Sequence, residues 1–243
     1  MSARLFLLLT LLFCFTYIPM RAQEPNRLTA QEKKVGWKLL FDGHTLAGWH
    51  SYGTKGIGAA WQIDGDALKL NLPNQIGSKT PNGGDLVTDV VFSGDFEFKI
   101  EWKVERFTNS GIFFFVQEES QYKNSFDTGL ELQVLDDAIY ERADDTKHRA
   151  GDFFSVASAR VRQIRPVGGW NKVHVVLKHD KLTVTVNGFV IHEYDISSAE
   201  WKKRIAESKL KNAPISKGRY NGRIGLQDWG STVWYRNIKF RQL

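Results

Sequence analysis

Turn-forming residues recur along almost the whole chain, and their spacing limits the possible folds more than any other feature. Glycine-containing turns interrupt the sequence at Asp42-Gly43, Asp64-Gly65, Asn82-Gly83-Gly84, Ser93-Gly94-Asp95, Gly168-Gly169, Asn187-Gly188 and Asn221-Gly222. The runs between many of these turns alternate with a period of two and are rich in β-branched and aromatic residues. Short strands separated by about ten residues predict an all-β sandwich or barrel.

Three consecutive runs give the clearest predicted hairpins. Lys172–Lys178 leads through a turn at 179–181 into Leu182–Val186, and Asn187-Gly188 then leads into Phe189–Tyr194. Asn-Gly between alternating runs is a strong hairpin signal.

Another strand is predicted for Phe96–Val104. Its aromatic and aliphatic residues share one face. The opposite face is expected to be exposed to water and carries Glu97, Lys99, Glu101 and Lys103.

One helix is predicted near the C-terminus. Ser197 and Glu200 fit a capping box, and Trp201, Ile205 and Ser208 then share a helical face. We expect this helix to be a single excursion from the sandwich.

The first 22 residues are predicted to form a secretory signal. Arg4 precedes the apolar run Leu5–Tyr17, which is short for a membrane span. Residues 23–34 are polar and are expected to form a tether, which leaves 35–243 as one domain. The expected location is therefore the periplasm or the cell surface.

Cysteine usage and charge exclude several classes of function. Cys14 is the single cysteine and lies in the predicted signal, so the exported chain has no disulfide framework, thiolate nucleophile or cysteine zinc site. The formal net charge is +6, without a long run of like charges. The densest group of basic residues, in 202–211, is interleaved with Glu200 and Glu207, which favours a solvated helix face over a nucleic-acid surface.

Two strands combine an apolar face with an unusual polar face. In the run 128–137, Glu131 and Gln133 point away from the core, about 6.6 Å apart along the strand. In the run 222–230, Arg223 and Gln227 share the outer face with a glycine that lets a ligand approach the backbone. These strands fit a concave sugar-binding sheet, although alternation alone somewhat favours an ordinary solvent-facing surface.

The same strand argues against a conventional glycosidase. That reaction uses two carboxyl groups, and the position two residues after Glu131 holds the amide Gln133. Asp136 and Asp137 end the strand, where turn residues are common. His148 lies in a polar loop and fits a base, a metal ligand or a surface residue.

Three segments together resemble a known family. They are Gly36–Trp49 with its Leu-Phe-Asp-Gly-x-Thr-Leu-x-Gly-Trp block, Asn109–Phe113 with Gly129–Asp137, and Gly222–Gly230 followed by Val233–Lys239. In this order the chain resembles the exported 3-keto-disaccharide hydrolases over essentially all of 35–243.

The resemblance implies a concanavalin A-like antiparallel β-sandwich that acts on glycosides already oxidised at C3. A C3 ketone acidifies the C2 proton, so a base can form an enolate and the C1 substituent can leave by elimination. Water addition then gives net hydrolysis. A divalent cation or a set of hydrogen-bond donors would stabilise the enolate oxygen.

The resemblance also implies roles for individual residues. Glu131 is expected as base or metal ligand, and Asp136 and His148 as rim ligands or acid–base groups. The expected substrate-binding residues are Gln133, Gln227 and Asp228 from the resemblance, Arg223 from the outer face of its strand, and Trp229 as a stacking surface. The expected metal ligands are Glu131 and His148, and no organic cofactor is expected.

The chain also departs from the family pattern. Trp229 stands where the family usually has histidine, and Phe154-Ser155 stand where it usually has Tyr-Asp. If the missing groups serve catalysis, the alternative is a non-catalytic carbohydrate-binding module of the same fold, with Trp229 stacking on a sugar face.

Overall fold

Two antiparallel sheets pack face to face in the computed structural model, which describes residues 24–71, 82–140 and 147–243. The larger sheet has the order β11-β10-β9-β6-β13-β4-β3, with β1 added beside β13. The smaller sheet has the order β2-β5-β12-β7-β8. This architecture confirms the predicted concanavalin A-like sandwich. The predicted secretory signal lies outside the described residues.

The strands and helices have the following bounds. The strands are β1 (Lys38–Leu39), β2 (Trp49–Ser51), β3 (Trp61–Asp64), β4 (Ala67–Leu70), β5 (Leu86–Thr88), β6 (Phe96–Val104), β7 (Asn109–Val116), β8 (Leu130–Leu135), β9 (Asn171–Lys178), β10 (Lys181–Val186), β11 (Phe189–Asp195), β12 (Arg223–Leu226) and β13 (Val233–Gln242). The α-helices are α1 (Ala30–Lys34) and α2 (Ala199–Ala206). Short 3-10 turns cover Ser125–Asp127, Asp137–Tyr140 and Pro214–Lys217.

The core lies between the two sheets and follows the alternation of the strands. Phe98 of β6 meets Phe114 of β7 edge to face, with ring centroids 5.6 Å apart. Leu132 of β8 and Leu226 of β12 are buried in the same cluster. Each such side chain contributes about 1.5–3 kcal/mol on burial, so the inner faces hold the two sheets together.

The predicted hairpins are confirmed. β9, β10 and β11 pair in sequence, with Lys181 opposite Lys178 at the first turn and Val186 opposite Phe189 at the second. The strand predicted for Phe96–Val104 has those bounds in the structure.

The predicted helix forms, but it begins one residue later than the capping box indicated. Ser198 is the N-cap, and its side chain accepts a hydrogen bond from the Trp201 N–H. The Ser197 hydroxyl instead donates to Asp195 at 2.6 Å. Trp201 and Ile205 are buried, as the helical face predicted.

The described part of the expected tether is bound to the outer face of the larger sheet. Asn26 and Asn237 exchange hydrogen bonds between their backbones and side chains. Glu32 of α1 pairs with Lys239 at 2.9 Å. The outer face is therefore more covered than the alternation of β6 suggested, and Glu101 is buried beside Arg236.

None of the helices in the described ranges is long and apolar enough to cross a membrane.

The outer face of the smaller sheet is also covered. The connection between β7 and β8 folds back over it, and Phe126 of this connection packs against Val87 and Phe113. The Tyr52 hydroxyl donates to the backbone oxygens of Gln117 and Tyr122 at 2.9 and 3.1 Å. A sheet face that alternation presents to solvent thus becomes the floor of a cavity.

Candidate active site

A cavity of about 740 Å³ lies over the outer face of the smaller sheet. Glu131 and Gln133 of β8 and Gln227 after β12 belong to its lining. The remaining lining residues come mainly from three connections and are Asn109, Gln121, Tyr122, Lys123, Asn124, Phe126, Asp127, Gly129, His148, Phe154, Ser155, Lys209, Leu210, Asn212, Ala213 and Trp229. The fold thus gathers residues that are far apart in the sequence around the carboxyl group of Glu131.

The Glu131 side chain reaches its place because the neighbouring strand β7 has a glycine beside it. A Cβ added at Gly111 would lie 2.3 Å from Glu131 Oε1 and 2.7 Å from its Cγ. Any larger residue at 111 would meet this carboxyl group. Glu131 is 5% exposed, so its carboxyl group is almost fully removed from bulk water.

Burial changes the acidity of Glu131. Desolvation, together with the nearby negative charge of Asp85, raises the pKa of Glu131 to about 8. The amides of Gln133 and Gln227 and the charge of Lys209 act in the opposite direction and lower this pKa. A carboxyl group with a pKa near 8 is mainly protonated at pH 7, yet it ionises at little cost and suits proton transfer.

Three buried acceptor atoms line this part of the cavity without a hydrogen-bond partner among the described residues. They are the Oε1 atoms of Glu131, Gln133 and Gln227. Gln133 and Gln227 are 2% and 6% exposed. An unpaired buried acceptor costs about 1–3 kcal/mol, so this cluster favours a ligand that brings several donors, such as a polyhydroxyl compound.

One wall of the cavity combines an aromatic ring with two basic side chains. The ring centroids of His148 and Phe154 are 4.6 Å apart. Lys209 Nζ lies 4.4 Å from the centroid of the Phe154 ring. The Ser155 hydroxyl accepts a hydrogen bond from the Lys209 backbone N–H at 3.1 Å, which fixes the chain at this point.

A second aromatic group lies on another part of the lining. Trp229 and Phe126 pack edge to face with their centroids 6.3 Å apart, and both are half-buried. Their partly open surfaces provide apolar area on which a sugar ring can stack.

Asp228 was expected to bind substrate, but it is fully buried and is not part of the cavity lining. Its Oδ2 accepts the Gly84 N–H at 2.8 Å and its Oδ1 accepts the Gly230 N–H at 3.0 Å. Through these contacts Asp228 anchors the loop after β12.

Asp85 was not identified from the sequence, because it follows a glycine turn and belongs to no motif. Its carboxylate accepts the Asp228 N–H at 2.8 Å and the Ser125 hydroxyl. It therefore links β5 to the loop after β12 and to the connection that covers the cavity.

Two other expected site residues also lie outside the lining. Asp136 accepts the backbone N–H groups of Phe107 and Ala138 at 2.9 and 3.2 Å, as a strand-end aspartate does. Arg223 pairs with Glu118 at 3.1 Å. Asp136 and Arg223 therefore make local structural contacts and do not line the cavity with Glu131.

The expected metal ligands Glu131 and His148 line the same cavity. Across the residues that the structure describes, no group of three histidine, cysteine, aspartate or glutamate side chains is placed to hold a metal ion. A hard divalent cation also accepts amide oxygens, so the Oε1 atoms of Gln133 and Gln227 would have to complete a site with Glu131 and His148.

Comparison with known proteins identifies a family. The model of a family described as the 3-keto-alpha-glucoside-1,2-lyase-like domain matches residues 36–241. A protein of Bacteroides thetaiotaomicron named 3-keto-disaccharide hydrolase is 29% identical, over 92% of this chain and 84% of that protein.

Solved structures show the same similarity. One from Parabacteroides distasonis, named provisionally as a glycosyl hydrolase, has a TM-score of 0.79 and 28% identity, and the match covers 90% of this chain and all of that one. A second from the same organism, with the same provisional name, has a TM-score of 0.59 and 25% identity, covering 86% and 84% of the two chains.

Proposed function

The chain belongs to the 3-keto-alpha-glucoside-1,2-lyase-like domain family, and from this premise we propose that it cleaves glycosides already oxidised at C3. At a coarser level it is a glycosyl hydrolase-like enzyme, as its relatives indicate. The observation that carries the finer proposal is Glu131, the buried carboxyl group of the described cavity lining, with a pKa raised to about 8. The amide Gln133 stands where a two-carboxylate glycosidase needs its second acid.

The proposed reaction starts with proton transfer. Ionised Glu131 takes the proton from C2, and the C–H electron pair forms the C2–C3 double bond while the ketone oxygen becomes an enolate. The enolate then collapses to the ketone, a C1–C2 double bond forms, and the C1–O bond breaks with its electron pair on the leaving oxygen. Water adds at C1 and a proton returns to C2, so the net reaction is hydrolysis.

Substrate binding is assigned to the polar floor and the aromatic lining. The unpaired Oε1 atoms of Gln133 and Gln227 accept hydrogen bonds from sugar hydroxyls. Trp229 packs against a sugar face. His148 lines the same cavity and is the proposed acid for the leaving oxygen. The presence of these side chains in one cavity lining with Glu131 supports each proposed role.

Glu131 and His148 gain no third acidic, histidine or cysteine ligand from the described residues. Whether the reaction needs a divalent cation is therefore a question for experiment. The proposed reaction uses the side chains of the chain itself. Loss of activity with a chelator, restored by one added metal, would replace this part of the proposal.

The test uses a 3-keto-glucoside with a chromogenic leaving group beside the same glucoside without the ketone. We expect release from the keto compound alone, with a transient enone absorbance in the ultraviolet, and loss of release in Glu131→Gln. Asp66→Asn, at a half-buried residue that is not part of the cavity lining, is the matched control.

Binding of the keto compound without any release would favour the second candidate, a carbohydrate-binding module. The aromatic lining at Phe154 and Trp229 favours this candidate, since both residues depart from the family pattern. In that case Trp229→Ala would abolish binding. Export is part of the proposal, and N-terminal sequencing of protein from the periplasm or the cell surface would locate the predicted cleavage after residue 22.

A further inference from the structure

Lys209 is a cavity residue for which neither the family match nor the sequence provides a role. We propose that its ammonium group stabilises the negative charge that forms on the C3 oxygen of the substrate when Glu131 removes the C2 proton. This inference rests on the proposed function, because the enolate exists only in the elimination reaction.

The backbone places Lys209 at the cavity. It follows Ser208, which is buried just after α2 and donates to the Ile205 carbonyl at 2.7 Å. The Ser155 hydroxyl accepts the Lys209 N–H at 3.1 Å and joins this turn to the opposite connection. Lys209 therefore begins from a fixed backbone position and is not carried by a free loop.

The Lys209 side chain is exposed to solvent and lies along the cavity wall that carries Phe154. Nζ lies 4.4 Å from the Phe154 ring centroid, and both residues line the cavity with Glu131. A cation over an aromatic face is held without a counter-charge. The influence of Lys209 on the acidity of Glu131 is a second sign that the two groups act on each other.

Among the described residues, no ion pair holds the Lys209 ammonium group. Its neighbours in the basic segment are paired differently, since Lys203 meets Glu207 at 3.8 Å and Arg204 meets Glu200 at 2.7 Å. Ser155, which accepts the Lys209 N–H, carries no charge, so the ammonium group is available to a substrate oxygen.

The chemistry requires such a charge. The electron pair of the C2–H bond moves through the new double bond onto the ketone oxygen, so the oxygen gains a full negative charge while the proton passes to Glu131. A fixed cation near a developing oxyanion stabilises the transition state more than the ground state, and removing one such group typically lowers kcat about 10²–10³-fold.

The experiment compares Lys209→Met, Lys209→Arg and the control Lys211→Met, which changes an exposed lysine two residues further on that is not in the lining. The first readout is kcat and KM with the chromogenic 3-keto-glucoside. We expect a fall in kcat of about 10²-fold for Lys209→Met with little change in KM, partial recovery in Lys209→Arg, and wild-type values for Lys211→Met.

The second readout isolates the enolate. A 3-keto-1,5-anhydroglucitol has no leaving group at C1, so exchange of its C2 proton in D2O, followed by NMR, reports enolate formation alone. We expect Lys209→Met to slow exchange by the same factor as kcat. Normal exchange with slow release would assign Lys209 to the leaving group, and unchanged kcat would remove it from catalysis; each result overturns the proposal.

Different results would overturn the proposed function and the proposed role of Lys209. If wild-type protein neither releases the leaving group nor exchanges the C2 proton, the proposed function is wrong and the role of Lys209 falls with it. If wild-type protein does both and a chelator abolishes both while Lys209→Met does not, the elimination stands and a metal ion replaces Lys209.

Discussion

Glu131 Oε1 lies 2.3 Å from the position that a Cβ would occupy on Gly111. The space for the proposed base is therefore provided by the absence of a side chain on the adjacent strand. The backbone of Gly111 does not adopt a positive φ angle, so the glycine is required here for space and not for conformation.

Gly111→Ala should abolish most of the activity and leave a folded protein. The added methyl group must displace the carboxyl group, and misplacing a catalytic group by about 1 Å costs about 10²-fold in rate. Steady-state kinetics and thermal unfolding would measure the two effects. Gly56→Ala is the control, since a Cβ at 56 meets no atom within 4 Å. Full activity in Gly111→Ala would show that Glu131 is not the base.

The pH dependence of kcat/KM should follow the ionisation of Glu131. Its pKa is raised to about 8, and only the ionised form can take a proton. We expect kcat/KM to rise about tenfold per pH unit below pH 8 and to level off above it. A profile already flat between pH 5 and 7 would contradict Glu131 as the base, and a scan from pH 5 to 9.5 would decide.

The stability of the protein should change with pH in the opposite direction to kcat/KM, because ionisation of Glu131 destabilises the folded state. The folded state binds the proton up to about pH 8, whereas the unfolded chain releases it near the usual value of 4.5. Between these values the folded state holds more protons, so the Glu131 contribution to the free energy of unfolding falls as pH rises, by about 3–5 kcal/mol in total.

Glu131→Gln should remove this fall in the free energy of unfolding at higher pH. Its melting temperature relative to wild type should increase from pH 4.5 to pH 8, while its activity is lost. Differential scanning calorimetry at several pH values would measure the difference. A constant difference across this range would mean that the carboxyl group is not desolvated as its 5% exposure indicates.

Asp136→Asn tests the placement of a residue that the family resemblance assigned to the site. The carboxylate holds the Phe107 and Ala138 N–H groups and lies outside the cavity lining. We expect a loss of about 1 kcal/mol in stability, as for a weakened local hydrogen bond, with kcat within a factor of two of wild type. A loss of kcat near that of Glu131→Gln would return Asp136 to the catalytic group.

The fold could be predicted because local patterns determine most of it. Alternation placed Phe98 and Leu132 inside, and Asn187-Gly188 fixed the turn between β10 and β11. The start of α2 was off by one residue, because Ser197 and Ser198 both suit an N-cap and Asp195 binds the Ser197 hydroxyl.

The site could be predicted only in part. The side of β8 that carries Glu131 and Gln133 followed from alternation, but their burial depends on the connection after β7, which has no periodic pattern. Lys209 was grouped with a solvated helix face because its neighbours in sequence are charged. Its proximity to Phe154 arises from tertiary packing, which no local pattern contains.

Asp85 acts on both the structure around the cavity and the acidity of the proposed base. The same carboxylate that fastens β5 to the loop after β12 also raises the proton affinity of Glu131, although it does not line the cavity. An engineer who neutralised this buried charge would lower the pKa of Glu131 and so move the working range of the proposed enzyme toward acid, without altering any residue of the lining.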